Sequence, residues 1–328
     1  MICIERILLF VFASVLVVPP LAAQSTAAIG YPQKTVRLIV PFPPGGSTET
    51  LARMVSVKLA EMWGQQIIID NRPGAGGIIG TELGAKAVAD GYTLLMGSGA
   101  PLTIIPGFQM KLGYDPLKDF APITNVAAVP NVIALHPSVP ARDVKALVAL
   151  ARAQPDQLSF SSNGAGSPGH LAGELFKNLG GVEIVHVPYR GIAPAFTDII
   201  GGQTDAMFPT LFAAIPYIET GRVRALAITG QKRSPTEPNV PTFKELGYPG
   251  FDGQQWYGIA GPANMPEAIV TKLNSELNKV LANPEFSEKM ASESMTVMPM
   301  SPQQFGNYIK EDIARWSKVA KDRHIEIE

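Results

Sequence analysis

The chain is almost devoid of cysteine: among 328 residues there is one, Cys3. It precedes an apolar run instead of following it, so it is misplaced for lipid attachment. From there on, disulfides, thiol nucleophiles and thiolate metal ligands are all excluded. Charge is sparse as well. Charged residues make up 17% of the chain, the net charge is −1, and the basic residues are scattered. That leaves no electrostatic footprint for nucleic acid. Histidine occurs four times, at His136, His170, His186 and His324, never as H-E-x-x-H or at another short metal spacing. Neither a metal nor a cofactor is expected. Long apolar runs are also missing. Ile7–Val18 covers twelve residues, against the roughly 20 needed to span a bilayer. With Arg6 before it and small residues after it, the run reads as the core of a signal peptide over residues 1–28, cut near Ala23 or Ala28. Export to the periplasm is the reading that follows, and a chain of this size can fold there on core burial alone.

What the chain does have is 46% apolar residues and 31 glycines. Two glycine-rich loops stand out. Each follows an apolar run and leads into a helix-like segment: Pro41-Phe-Pro-Pro-Gly-Gly-Ser47 in the first half, and Ser162-Asn-Gly-Ala-Gly-Ser-Pro-Gly169 in the second. A helix leaves its first N–H groups unpaired, its N-terminal end favours an anion, and glycine lets a ligand approach closely. Two such loops point to a small anion held between two lobes.

The patterning supports two lobes. Strand-like and helix-like segments alternate from Val36 to Met96, with a helix over Glu49–Trp63 stopped by Gly64, and alternate again from Asn131 to Thr229. This predicts an α/β fold with two lobes and parallel-rich sheets. Lobe 1 is assigned residues 29–126 plus 255–328, and lobe 2 residues 127–254, with the ligand cleft between them. Helices over Pro266–Leu281 and Pro302–Lys321, the latter opened by a Ser301/Gln304 capping box, are expected to return to lobe 1. The chain then crosses between lobes twice, near Thr124–Pro130 and near Asp252–Gly258, forming a hinge.

Other chemistries fit less well. Gly164-Ala-Gly-Ser-Pro-Gly169 matches G-x-G-x-x-G, but the next strand reads His186-Val-Pro-Tyr189 where a ribose-binding acid would stand. Ser167 resembles the nucleophile of a secreted hydrolase. The next residue, Pro168, has no N–H to give an oxyanion. His170, at a helix start, either lines the cleft or is structural. Glu49 complements a helix dipole and could also shape the pocket through loop amides or water. Arg190 fits either a bidentate carboxylate contact or an ordinary surface position. Asp205 either caps a loop or bonds the opposing lobe. Phe42 and Tyr189 could wall a pocket, and Trp256 and Tyr257 suit packing at the crossing between lobes.

Several longer stretches bear a resemblance: Pro41–Glu49, Asp70-Asn-Arg-Pro-Gly-Ala-Gly-Gly77, Asp90–Leu94, Tyr114–Pro122, His136–Pro140, His186–Gly191 and Trp256-Tyr-Gly258. Together they resemble the substrate-binding proteins of tripartite tricarboxylate transporters, the Bug family, over nearly the whole mature chain. The resemblance implies a fold of the type II periplasmic-binding-protein kind, two α/β lobes joined by a two-crossing hinge, and a non-enzymatic periplasmic receptor, expected to be a monomer. Such a receptor passes a small carboxylate to a membrane permease of one large and one small subunit. The ligand classes implied are di- and tricarboxylates, acidic amino acids and aromatic acids. Presentation of the ligand to a signalling system, or hydrolysis at Ser167, are the alternatives. Carried over by motif, ligand contacts fall on Phe42, Gly45, Gly46, Ser47 and Glu49 in lobe 1, and on Ser162, Asn163, Gly166 and Ser167 in lobe 2, with Tyr189 and Asp205 added. The family usually carries Asp where this chain has Glu49.

Overall fold

The computed structural model describes residues 30–248, 251 and 254–323. The predicted signal peptide, part of the Asp252–Gly258 crossing and His324 lie wholly or partly outside those residues. The chain begins β1 (Val36–Val40), α1 (Ser47–Trp63), β2 (Ile67–Asn71), α2 (Ile78–Ala85), β3 (Thr93–Ser98), a short α3 (Ile105–Gly107) and β4 (Phe120–Val129). It crosses into β5 (Val132–Leu135), α4 (Val144–Ala153), β6 (Ser159–Ser162), α5 (Pro168–Gly180), β7 (Val185–Pro188), α6 (Ile192–Ile200), β8 (Ala206–Met207), α7 (Leu211–Glu219) and β9 (Arg224–Ile228). It then returns through β10 (Gln255–Pro262), α8 (Glu267–Leu281), α9 (Pro284–Ser292), β11 (Thr296–Val297) and α10 (Pro302–Arg323).

Two sheets result, ordered β11-β4-β10-β3-β1-β2 and β7-β6-β8-β5-β9. In the first, β1 runs parallel to β2 and β3, while β10 is antiparallel to β3 and β4. In the second, β6 runs parallel to β7 and β8, while β5 is antiparallel to β8 and β9. The plan is therefore the same in both lobes. In each sheet the antiparallel strand at the junction is the one the chain enters on arriving from the other lobe. The sheets are mixed because each lends a strand to the crossing. β4 pairs with β10 as far as Val129, so residues 127–129 belong to the first sheet and not to the second lobe.

Both sheets are buried on two faces. Along β1, Val36, Leu38 and Val40 pack with α1 and α8, whereas Ile39 joins Trp256, Phe305 and Ile309 on the other side. Such strands read as apolar runs without alternation. In the second sheet, Ile133 and Leu135 face one core, and Val132 and Ala134 the other. α8 and α10 do pack on the first sheet, and the capping box forms: Gln304 N–H donates to Ser301 Oγ (3.2 Å) and Ser301 N–H to Gln304 Oε1 (2.8 Å). The far end of α10 goes further than the sequence implies, placing Trp316 in a core shared with second-lobe residues.

Candidate functional site

The first glycine-rich loop leaves β1 and is fixed by its neighbours. Asn71, at the end of β2, donates from Nδ2 to the Phe42 carbonyl (2.9 Å). The Phe42 ring lies over Gly77, where a Cβ would come within 2.9 Å of it. The loop then opens α1 at Gly46, an N-cap residue with no side chain to cap the helix. The first N–H groups of α1 are thus left without a side-chain acceptor.

These groups border a cavity of about 70 Å³ between the lobes, room for about five waters or part of a small organic acid. Phe42, Pro43, Gly46, Ser47 and Thr48 line it from the first lobe. Asn163, Pro168, Gly169, Ile192, Phe208, Pro209, Thr210 and Ala213 line it from the second. Asn131, Gln255 and Tyr257, at the crossing, close its floor. The starts of α1, α5, α6 and α7 all contribute, so several positive helix ends converge there. No charged side chain stands among the described lining residues.

A row of hydroxyls ties the lobes together at this point. Tyr257 donates to Ser47 Oγ (3.1 Å), and Ser47 Oγ lies 3.0 Å from Oγ1 of Thr210, which stands at the N-cap position of α7 without capping it through its side chain. Burial raises the Tyr257 phenol to about 12 against the smaller opposing pull of its hydrogen bonds, so it remains a neutral donor at ordinary pH. Nearby, a Cβ at Gly76 would lie 2.9 Å from the Gly166 carbonyl, so the two lobes also meet loop to loop.

The second loop is built differently, because its polar groups bond to each other. The Gly166 N–H donates to His170 Nδ1 (3.0 Å), and Ser167 Oγ caps α5 by accepting from the His170 N–H (3.4 Å). Ser162 Oγ lies 2.7 Å from His186 Nε2. The rings of His170 and His186 stack at 3.9 Å, with Phe160 against His186 at 4.9 Å. Burial, helped by the neighbouring Lys177, lowers both imidazoles to about 4, and His170 adds to the lowering of His186.

Of the residues expected in the cleft, Phe42, Gly46, Ser47 and Asn163 line the cavity. Gly45 lines a neighbouring groove with Ile192 and Phe196. Ser162, Gly166 and Ser167 sit behind the cavity wall, their polar atoms held by the bonds just described. Ser167 is fully buried, and its hydroxyl is a helix cap, a poor arrangement for a nucleophile. Three other residues expected in the cleft stand outside the lining. Asp205 accepts from Ser159 N–H (2.8 Å) and Oγ (3.0 Å) at the start of β6, the end opposite the glycine-rich loop. The Tyr189 hydroxyl donates to Asp198 (2.6 Å), outside the lining. Glu49 is buried but turned along α1 to pair with Arg53. Arg190 is exposed and likewise outside the lining. Sequence reasoning missed Asn131, Thr210 and Gln255, and read Tyr257 as packing alone. The first three come from a crossing or a helix start with no motif of their own, and Tyr257 from a motif that gave no sign of its hydroxyl's role.

The arrangement defines a class: a two-lobed solute-binding fold with its cavity at the interface. The chain belongs to the tripartite tricarboxylate transporter family receptors, whose profile matches residues 51–325. It is 37% identical to protein BugT of Bordetella pertussis over 301 residues, 92% of each chain. Among solved structures, it is similar to Rpa4515 of R. palustris with adipate, at 38% identity and a TM-score of 0.86 over 90% of this chain and 99% of that one. It is also similar to MatC of Rhodopseudomonas palustris with bound malate, at 31% identity and a TM-score of 0.83 over 88% and 99%.

Proposed function

We propose that this protein is a periplasmic receptor that captures a small carboxylate between its lobes and delivers it to a tripartite-type membrane permease. The observation that carries the reading is the cavity itself: uncharged in its side chains, yet faced by converging helix N-termini, with α1 uncapped. Such a site favours an anion through main-chain N–H groups and hydroxyls, with no cationic side chain required. Relatives at 38% and 31% identity hold adipate and malate. The lobes act as a clamp on two crossing strands. Closure excludes water and strengthens each hydrogen bond to the ligand.

Gly46 is the point at which to test this. A Cβ there meets no atom within 4 Å, and its φ of −94° suits any residue. Gly46→Ala should therefore fold and bind. Gly46→Asp places a negative charge at the mouth of α1 and should cost at least about 100-fold in affinity, of order 3 kcal/mol, with melting temperature little changed. The readout is a thermal-shift and calorimetric screen of mono-, di- and tricarboxylates. Full affinity in the Asp variant, or stabilisation of the wild type by esters or nucleotides but by no carboxylate, would overturn the reading.

A further inference from the structure

An apolar trough crosses the seam between the lobes, outside the ligand cavity. Its first half is a groove of about 650 Å³ between α1 and α9, lined by Met54, Val57 and Phe286. Its second half, about 330 Å³, lies between the end of α9 and the helices α6 and α7, against Phe212, Pro216 and Tyr217. Ser292, the last residue of α9, borders both. Val57 is 56% exposed, and a contiguous apolar surface of this kind marks an interaction site. The second half belongs to the closed form. The first lobe supplies Gly45 and Ser292 to it, the second lobe supplies α6 and α7, and Phe212 of α7 packs against the first lobe's core. It also shares Ile192 and Ala213 with the ligand cavity. Parting the lobes would pull its walls apart.

The charge along the trough is one-sided. Its basic residues are already paired within the chain: Arg53 with Glu49, Lys58 with Glu61 and Lys289 with Glu293. Glu285 and Glu288 also line it, are exposed, and form no ion pair among the described residues. At the other end, Glu219 closes α7 two residues beyond Tyr217. Burial, together with the nearby Glu219, raises the Glu237 carboxyl above its ordinary value, so negative charge is crowded there. Thr236 Oγ1 bonds Ser294 Oγ, which brings Glu237 close to Glu293 on the trough wall.

We infer that this trough is the surface on which the membrane permease docks, and that its occupant is a permease segment outside the membrane combining apolar side chains with Lys or Arg. This rests on the receptor-and-permease reading and adds the face of contact. Opposite charge steers encounter and suppresses wrong partners. The same carboxylates repel an anionic lipid surface and the matching face of a second copy. Because half of the trough needs both lobes, a partner seated in it binds the closed receptor in preference to the open one.

The test uses the full chain in its own host, in a strain deleted for the gene. The photoreactive residue p-benzoylphenylalanine replaces Val57 or Tyr217 in the trough, or Val88, which is 74% exposed and lies outside both grooves, as the control. Both trough positions should cross-link to a permease subunit, mapped by mass spectrometry to a Lys- or Arg-bearing segment outside the membrane, and Val88 should not. The second arm is the double variant Glu285→Lys/Glu288→Lys. It should cut uptake of the acid that most stabilises the purified receptor by about tenfold or more. Both positions are exposed and lie outside the ligand cavity, so affinity for that acid should stay within about twofold. Cross-links only to lipid, to a second receptor copy or to a soluble protein overturn the inference. So does wild-type uptake in the double variant, and either result leaves the carboxylate receptor standing. If the wild-type chain restores no uptake of an acid it binds, the delivery reading falls and this inference falls with it.

Discussion

The two glycine-rich loops share a sequence signature and differ in what they leave free. The first ends in an uncapped helix, and a Cβ at Gly45 or Gly46 would meet nothing within 4 Å. The second spends its N–H and hydroxyl groups internally, on His170, His186 and the α5 cap. Pro168 removes a further donor, so Gly169 carries the first N–H of α5 not already bonded or missing. One loop therefore leaves main chain open to the cavity, while the other is a wall braced by its own bonds. Glycine-rich composition marks close approach in both cases, but only the hydrogen-bond inventory shows whether the approaching group is a ligand or the opposite lobe.

If the second loop is a wall, its contact with the first lobe should be what stabilises the closed form. Gly76→Ala attacks that contact. The added Cβ would lie 2.9 Å from the Gly166 carbonyl oxygen and 3.3 Å from that of Ala165, backbone atoms that cannot step aside alone. The substitution should weaken ligand affinity by about tenfold, or 1.4 kcal/mol, and enlarge the radius of gyration of the ligand-saturated protein in small-angle scattering. Gly76 has a φ of +63°, so Ala there is also strained. Gly64→Ala carries the same strain at φ +62° with nothing within 4 Å and serves as the control. Equal losses in the two variants would mean that the loops do not meet in the bound state.

Much of this architecture is legible in the sequence. β1 starts at Val36, where the strand–helix alternation begins, and α1 starts two residues before Glu49 and ends at Trp63 as predicted, because Gly64 stops it. The strand β4 escapes notice: buried along most of its length and containing Pro122 and Asn125, it shows no alternation. α7 is apolar up to its last residue, Glu219, and holds Pro216, which argues against a helix from sequence alone. The missed floor of the site follows from these gaps. Thr210 precedes α7 and Asn131 follows β4, and the Ser47–Thr210 contact joins residues 163 apart, a distance no local motif encodes. Conversely, Asp205 and Tyr189 looked like site residues because they flank strands and loops. The structure turns both to local partners, Asp205 to Ser159 and Tyr189 to Asp198.

The loops should also differ in their response to acid. His170 and His186 are lowered to about 4 in the folded chain, against about 6.5 when unfolded. Between those values the unfolded state binds more protons, so stability falls as pH drops from about 6.5 to 4 and levels off below that for these groups. Glu174, 3.8 Å from His170 Nε2, and Lys177 are the other charged groups beside the pair. Because His186 is only partly buried, solvent screening reduces the effect, and a melting-temperature loss of about 5 °C between pH 7.5 and 4.5 is expected. His170→Asn retains an acceptor for the Gly166 N–H and loses the charge change, so it should flatten that slope. Hydrogen exchange should rise in acid at residues 162–170 before residues 41–47. A slope unchanged in the variant would show that the imidazoles do not hold the loop.

The smallest effect is expected at Glu49, where the first loop meets α1. A carboxylate beside an anion site would repel the ligand, unless something neutralises it or turns it away. Here both happen: Glu49 pairs with Arg53 one turn along the helix and is absent from the cavity lining. Arg53 is 65% exposed, so the pair itself adds little stability. Glu49→Gln removes the negative charge and keeps the shape. Ligand affinity should then change by less than about threefold, because the N–H groups at Gly46, Ser47 and Thr48 remain as they were. Melting temperature should fall slightly, through the lost helix-dipole contribution of about 0.3–1 kcal/mol. A tenfold loss of affinity would instead show that the Glu49 carboxylate touches the ligand or a water bound to it. The first loop would then be read through a side chain as well as its main chain, and its contrast with the second loop would narrow to the helix cap alone.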